Sequence, residues 1–167
     1  MSEQKFRARS SAAVLVLMRG QPASHSEVLL IERSDTVKTH KGQVAFPGGG
    51  VEAEDENDPG RTAIRECFEE VGVLPAQVKL LKTLPPLPTL SSDFFVVPVL
   101  AQLVGADPEL KLDPNEVAYA EWVSVEALLK TKKTENGFPV FDWTGADQKH
   151  RKVWGLTAII LDLIFSL

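Results

Sequence analysis

Apolar positions run in short continuous stretches through the first third of the chain, and in a helical rhythm at two later places. Residues 12–18 and 28–31 are β-rich runs divided by a polar, turn-prone stretch, which predicts two paired strands. Residues 33–42 are polar and basic and read as a loop. "QVAFPGGG" predicts a short strand closed by Pro47 and three glycines, and an acidic loop follows at 52–58. A helix comes next: Asp58 suits its N-cap, Pro59 its first turn and Gly72 its end. Within it Ile64, Cys67, Phe68 and Val71 recur at helical spacing and predict the buried stripe. Glu66, Glu69 and Glu70 then share the opposite side, because residues three and four apart are neighbours on a helix.

Further on, "VKLLKTLPPLPTL" reads as a strand and a proline-rich loop, and "DFFVVPVLAQLV" as a strand whose Pro98 marks an edge or a bulge. "PNEVAYAEWVSVEALL" reads as loop, strand and short helix, residues 130–145 as a long exposed loop, and 154–167 as a terminal helix. No repeat or low-complexity segment interrupts this order. Strands and helices mixed in this way predict an α/β fold with helices packed on a mixed sheet, and 167 residues suit one domain across 1–167.

Composition narrows the function. The chain is 44% hydrophobic and 25% charged, as globular proteins are. A net charge of −5 argues against non-specific binding to nucleic acid or an anionic membrane. It also means that an anionic substrate needs local cations. The single cysteine, Cys67, permits no internal disulfide, no Cys/His set has zinc spacing, and the composition suits a reducing cytoplasm. A basic run at residues 5–9 precedes the first apolar stretch, but that stretch is short and leads into a turn-rich loop, unlike a signal peptide. The apolar C-terminus is too short to span a bilayer and is broken by Asp162, so a soluble protein is expected.

The crowded glutamates need a reason. Like charges at this spacing cost a helix a few tenths of a kcal/mol per pair, and Arg65 offsets part of that through Glu69, four residues on. A solvated face would ask for nothing more. The glycine-rich turn and the acidic loop just upstream point instead to a site for a hard divalent cation, which takes oxygen ligands.

The stretch "GGGVEAEDENDPGRTAIRECFEEVGV" resembles the signature of the Nudix hydrolases. Arg65, Glu66, Cys67, Glu69, Glu70, Gly72 and Val73 fill every fixed position of its second half. The first half departs: its loop is one residue longer, Asn57 stands where strict counting puts a glutamate, and Glu56 is expected to take that place. "LLIERSDTVKTHKGQVAFPGG" further resembles the coenzyme A diphosphatase subgroup, keeping Leu29, Leu30, Arg33, Ser34, Gly42, Phe46, Pro47, Gly48 and Gly49. It departs at Ile31 and Lys38, and Ala53 stands where that subgroup has an acid. "VWGLTAIILDLI" resembles its terminal helix.

The resemblance implies an α/β/α sandwich that uses Mg²⁺ or Mn²⁺. Glu66, Glu69 and Glu70 become metal ligands, with a carbonyl of Gly48 or Gly49 in addition. Glu69 or Glu66 activates the water, Arg65 orients the glutamates and Glu116 is a more distant acid. Arg33, Lys38 and Lys41, with His40 beside them, form a basic loop for phosphates; Phe46, Phe94 and Phe95 either stack on adenine or, as strand residues, belong to the core. The implied substrate is coenzyme A or its thioesters, cleaved to 3′,5′-ADP and a 4′-phosphopantetheine product. ADP-ribose, a nucleotide sugar or an oxidised nucleotide is the alternative, and a non-catalytic nucleotide-binding domain is a reading of another class. The expected partner is a small-molecule nucleoside diphosphate, with no nucleic acid and no membrane; a homodimer is left open.

Overall fold

The computed structural model describes residues 11–20, 25–38, 40–89 and 94–166. The basic run at 5–9, the end of the proline-rich loop at 90 and the last residue of the terminal helix lie outside them.

Strand β1 (Ser11–Arg19) meets β2 (Glu27–Arg33) only at its far end, where Met18 pairs with Val28 and Arg19 with Glu27. The two then part, and the segment they enclose is the glycine-rich one. β3 (Val44–Ala45) lies against β2, and β4 (Gly48–Gly50) runs antiparallel to β1 with Val14 opposite Gly48. Between them the Leu15 N–H donates to the Pro47 carbonyl at 2.8 Å. The "FPGGG" stretch is therefore wedged into the sheet.

Helix α1 (Pro59–Val71) follows, capped by Asp58, whose side chain accepts from the Gly60 N–H, and ended by Gly72 in a left-handed conformation. β5 (Val78–Thr83) and β6 (Leu87–Pro88) pair antiparallel with β7 (Phe95–Leu103), which runs parallel to β1. β8 (Val117–Ser124) closes the other flank against β2 and leads into the short helix α2 (Val125–Lys130). A three-stranded sheet, β9 (Lys133–Glu135), β10 (Phe138–Thr144) and β11 (His150–Val153), precedes helix α3 (Gly155–Phe165).

Alternation along β1 and β2 explains the layers. Ala13, Leu15, Leu17, Leu29 and Ile31 face α1, joined by Ala63, Cys67 and Val71 from the helix. Val16, Val28 and Leu30 face the other way, toward Phe141, Trp143, Ile160 and Leu161 of β10 and α3. A mixed sheet with helices on its faces, as expected, is the result. Arg151 pins the outer strands to it. Almost fully buried, it pairs with Glu32 and Asp147 and lies over the rings of Tyr119 and Trp143.

Three expectations change. Residues 130–145 are no loop: Asn136 and Gly137 both have positive φ, 51° and 82°, and make the two-residue turn of the β9–β10 hairpin. Pro98 sits inside the sheet, with β1 on one side. Its carbonyl accepts from the Leu84 N–H, so its missing donor falls where the neighbouring strand is broken between β5 and β6. Finally, Phe68 is 46% exposed whereas Glu70 is only 3% exposed, so the two exchange the places the periodicity assigns them.

Candidate active site

Glu70 stands three residues after Cys67 and seven after Ala63, on the shoulder of the buried face, and α1 carries it under β4. Its Oε1 accepts the Gly48 N–H at 2.9 Å, whereas its Oε2 is buried with no hydrogen-bond partner among the described residues. Burial drives its pKa up from 4.5 to about 8, against the Gly48 hydrogen bond, which lowers it. A buried carboxylate oxygen without a donor is costly, and a cation is the partner that its chemistry suits.

Glu66, one turn earlier, is half-buried against Gly49. A β-carbon built on Gly49 would stand 2.5 Å from the Glu66 carboxyl carbon, and one on Gly48 would strike the backbone of Ala13 and Val14. Gly48 is thus required by its close approach to the sheet, whereas at Gly49 a side chain would push the Glu66 carboxylate aside. Burial also raises the Glu66 pKa, opposed by Arg65.

Arg65 is the hub of the cluster. Its Nε and Nη2 hold the two oxygens of Asp55 at 2.9 Å each, Nη2 also reaches the Gly50 carbonyl at 3.0 Å, and Nη1 contacts Glu66 at 3.1 Å and Glu69 at 3.2 Å. The i,i+4 pair with Glu69 is therefore one contact among several. Glu69 itself is exposed. Among the described residues no three acidic, histidine or cysteine side chains stand grouped as a ready-made metal site.

The loop before α1 corrects another expectation. Glu56 is exposed, bent back with φ 54°, and pairs with Arg61, while Asn57 has φ 59°. The acid that Arg65 grips is Asp55, 2% exposed, which also accepts from the Thr62 hydroxyl and the Glu52 N–H. The two left-handed residues take up the extra length that makes counting fail. Those contacts, the Arg65 hydrogen bond first, hold the Asp55 carboxyl down at about 2. One signal was readable: Asp55 lies three residues after Glu52, at capping-box spacing.

Glu116 comes to the same place from the far side. Asp113 and Lys111 donate their N–H groups to the carbonyls of Glu70 and Val71, zipping the loop before β8 onto the end of α1. Glu116 follows; its carbonyl accepts the Ser34 N–H, and its exposed carboxylate acts on Glu70, raising the Glu70 pKa while Arg33 lowers it. Arg33, at the end of β2, therefore belongs to the same cluster. Lys38 and Lys41 are exposed on the loop that runs from Arg33 to β3. Phe46 cannot stack on a base: it is 3% exposed and packed with Val44, Phe141 and Trp143. Phe94 and Phe95 are half-buried beside β7. Cys67 is buried and its thiol pKa is pushed up by that burial, so it is a core residue.

An α/β/α sandwich whose glutamate-bearing helix packs beneath a glycine strand is the arrangement that the Nudix resemblance implies. Comparison with known proteins agrees. The NUDIX domain model matches residues 8–144. The Nudix hydrolase NudL of Pectobacterium atrosepticum is 38% identical over 162 residues, 90% of this chain and 78% of that protein. The peroxisomal coenzyme A diphosphatase ndx-8 of Caenorhabditis elegans is 35% identical over 128 residues, 75% of this chain but 53% of its own length. Among solved structures, a C. elegans Ap4A hydrolase in a binary complex aligns with TM-score 0.56 and 27% identity, over 73% of this chain and 85% of that one. A Nudix hydrolase of M. smegmatis, RenU, shares the fold at TM-score 0.59 and 22% identity, over 73% and 74%. The chain belongs to the Nudix hydrolase family.

Proposed function

We propose that the protein hydrolyses the diphosphate of coenzyme A or an acyl-coenzyme A, giving 3′,5′-ADP and a 4′-phosphopantetheine product, with Mg²⁺ or Mn²⁺ held by Glu66, Glu69 and Glu70 and the Gly48 carbonyl. The observation that carries the site is the Oε2 of Glu70, buried without a hydrogen-bond partner among the described residues. A divalent cation bound there supplies charge neutralisation for the diphosphate and a more acidic water.

The rest is work for the chain's own groups. The Gly48 N–H fixes one Glu70 oxygen and so aims the other. Arg65, anchored by Asp55 and Gly50, holds Glu66 and Glu69 in position and screens their repulsion. Glu69 or Glu66 is the group assigned to take the proton of the attacking water. Glu116 places a further carboxylate beside Glu70, and Arg33, Lys38 and Lys41 offer positive charge to the phosphates from the adjoining loop.

The substrate reading rests on the upstream motif and on the 35% identity to a protein named a coenzyme A diphosphatase. Incubation with Mg²⁺ or Mn²⁺ and a panel of coenzyme A, ADP-ribose and a dinucleoside polyphosphate tests it. Fast cleavage of ADP-ribose with coenzyme A left intact rejects the substrate, and no turnover of any member favours a nucleotide-binding domain. A cytoplasmic location is part of the same reading and rests on the disulfide-free composition. Among the described residues no helix is long and apolar enough to cross a membrane. Recovery of the native protein in an organelle fraction would refute the cytoplasmic assignment.

A further inference from the structure

Phe68 is unexplained by catalysis or by folding. It lies on the same helix as the glutamates, yet its ring is 46% exposed, and Leu74, just past the helix, is 53% exposed. The two flank an open groove of about 660 Å³ whose wall continues through Glu69, Gln77, Pro108 and Lys111. That volume lies within the usual range of small-molecule sites, roughly 300–1,000 Å³.

Two connections tie the groove to the candidate active site. Glu69 belongs to both. The loop forming the opposite wall is the one whose Lys111 and Asp113 N–H groups bind the end of α1 and which then delivers Glu116 beside Glu70. Glu69 thus stands at the border of the two, held by Arg65 on one side and lining the groove on the other. The lining is mixed in a particular way. Phe68, Leu74 and Pro108 give apolar contact, while Gln77, Glu109 and Lys111 supply polar and charged groups. That pattern fits an extended chain of methylenes interrupted by amides.

We infer that the Phe68–Leu74 groove takes the part-apolar, amide-bearing arm of the substrate, so that it sets specificity for coenzyme A-like diphosphates; this rests on the substrate reading above. Both side chains are about half exposed and lie outside the two core clusters, so changing them spares the core. The test is steady-state kinetics of the full chain, unaltered and as Phe68→Ser, Leu74→Ser and the double variant, on coenzyme A and on ADP-ribose, which has the same diphosphate without the arm. The double variant is expected to raise KM for coenzyme A about tenfold or more, as loss of one apolar contact surface does. Its kcat should stay within about twofold, and the kinetics on ADP-ribose, however slow, should not change. Thermal unfolding unchanged in all variants confirms that the fold is intact. If the unaltered protein cleaves coenzyme A and the variants keep its KM, or lose ADP-ribose turnover equally, the groove is not the arm's site and the inference fails alone. If the unaltered protein leaves coenzyme A intact, the substrate reading fails and takes the inference with it.

Discussion

Replacing Asp55 with Asn removes one charge from the buried Arg65 pair while keeping the side chain's shape. The Asp55 carboxyl titrates at about 2 against an ordinary 3.8, with the Arg65 hydrogen bond the largest cause. That gap corresponds to about 2 kcal/mol of native-state stability at neutral pH. The folded value is depressed, so this stability is complete above the unfolded value of 3.8 and lost as pH falls through about 2. Breaking a buried pair can cost about 3–5 kcal/mol. Here Arg65 keeps Gly50, Glu66 and Glu69 as partners, which argues for a loss at or below the bottom of that range, roughly 2–3 kcal/mol. Urea unfolding followed by tryptophan fluorescence, at pH 7 and pH 3, measures it. About half of the difference between Asp55→Asn and the unaltered protein should have gone at pH 3. Glu56→Gln is the control: Glu56 makes only an exposed ion pair with Arg61, so its loss should cost less than about 0.5 kcal/mol. Equal losses from the two variants at pH 7, or an Asp55→Asn effect of the same size at pH 3, would show that Arg65 is not anchored as described.

Glu70 makes the opposite pH prediction in protein freed of divalent ions. Its folded pKa is raised from 4.5 to about 8, so its contribution is favourable below 4.5 and is lost as pH rises through about 8. Melting temperature should therefore fall between pH 5 and pH 8, Mn²⁺ should restore it at the upper end, and Glu70→Gln should abolish both effects; a slope that survives this change sinks the assignment. Gly49→Ala puts a methyl group 2.5 Å from the Glu66 carboxyl carbon. Displacing that carboxylate by about 1 Å should cut kcat on the order of a hundredfold, with a much smaller change in unfolding free energy than Gly48→Ala, which strikes backbone. Comparable activity in Gly49→Ala and the unaltered protein would mean that Glu66 is not positioned by this contact.

Helix α1 was legible almost to the residue, because Asp58, Pro59 and Gly72 punctuate it. The paired strands before it were also readable, as was the mixed sheet that the order of elements implies. Periodicity could not say which glutamate is buried. Glu70 lies at the border of the apolar face, and only the wedge of β4 between β1 and β2, a long-range arrangement, turns that border inward. Phe68 was misplaced for the same reason in reverse. The Asn136–Gly137 hairpin carried its turn signal openly, yet the polar Lys133–Glu135 side hid β9. Asp55 was masked by counting along a loop that two left-handed residues shorten in space. Glu116 and Arg33, far apart from α1 in sequence, share a site with Glu70 because β2 and β8 pair with Arg33 opposite Val117.

Mn²⁺ binding, read by electron paramagnetic resonance and followed alongside coenzyme A turnover, reaches the core of the matter. The unaltered protein should show a site that Glu66→Gln, Glu69→Gln and Glu70→Gln each weaken at least about tenfold, as loss of a ligand does, with turnover falling in step. Unchanged Mn²⁺ affinity in all three, with hydrolysis intact, would place the cation elsewhere and leave the glutamates of α1 without the role assigned to them.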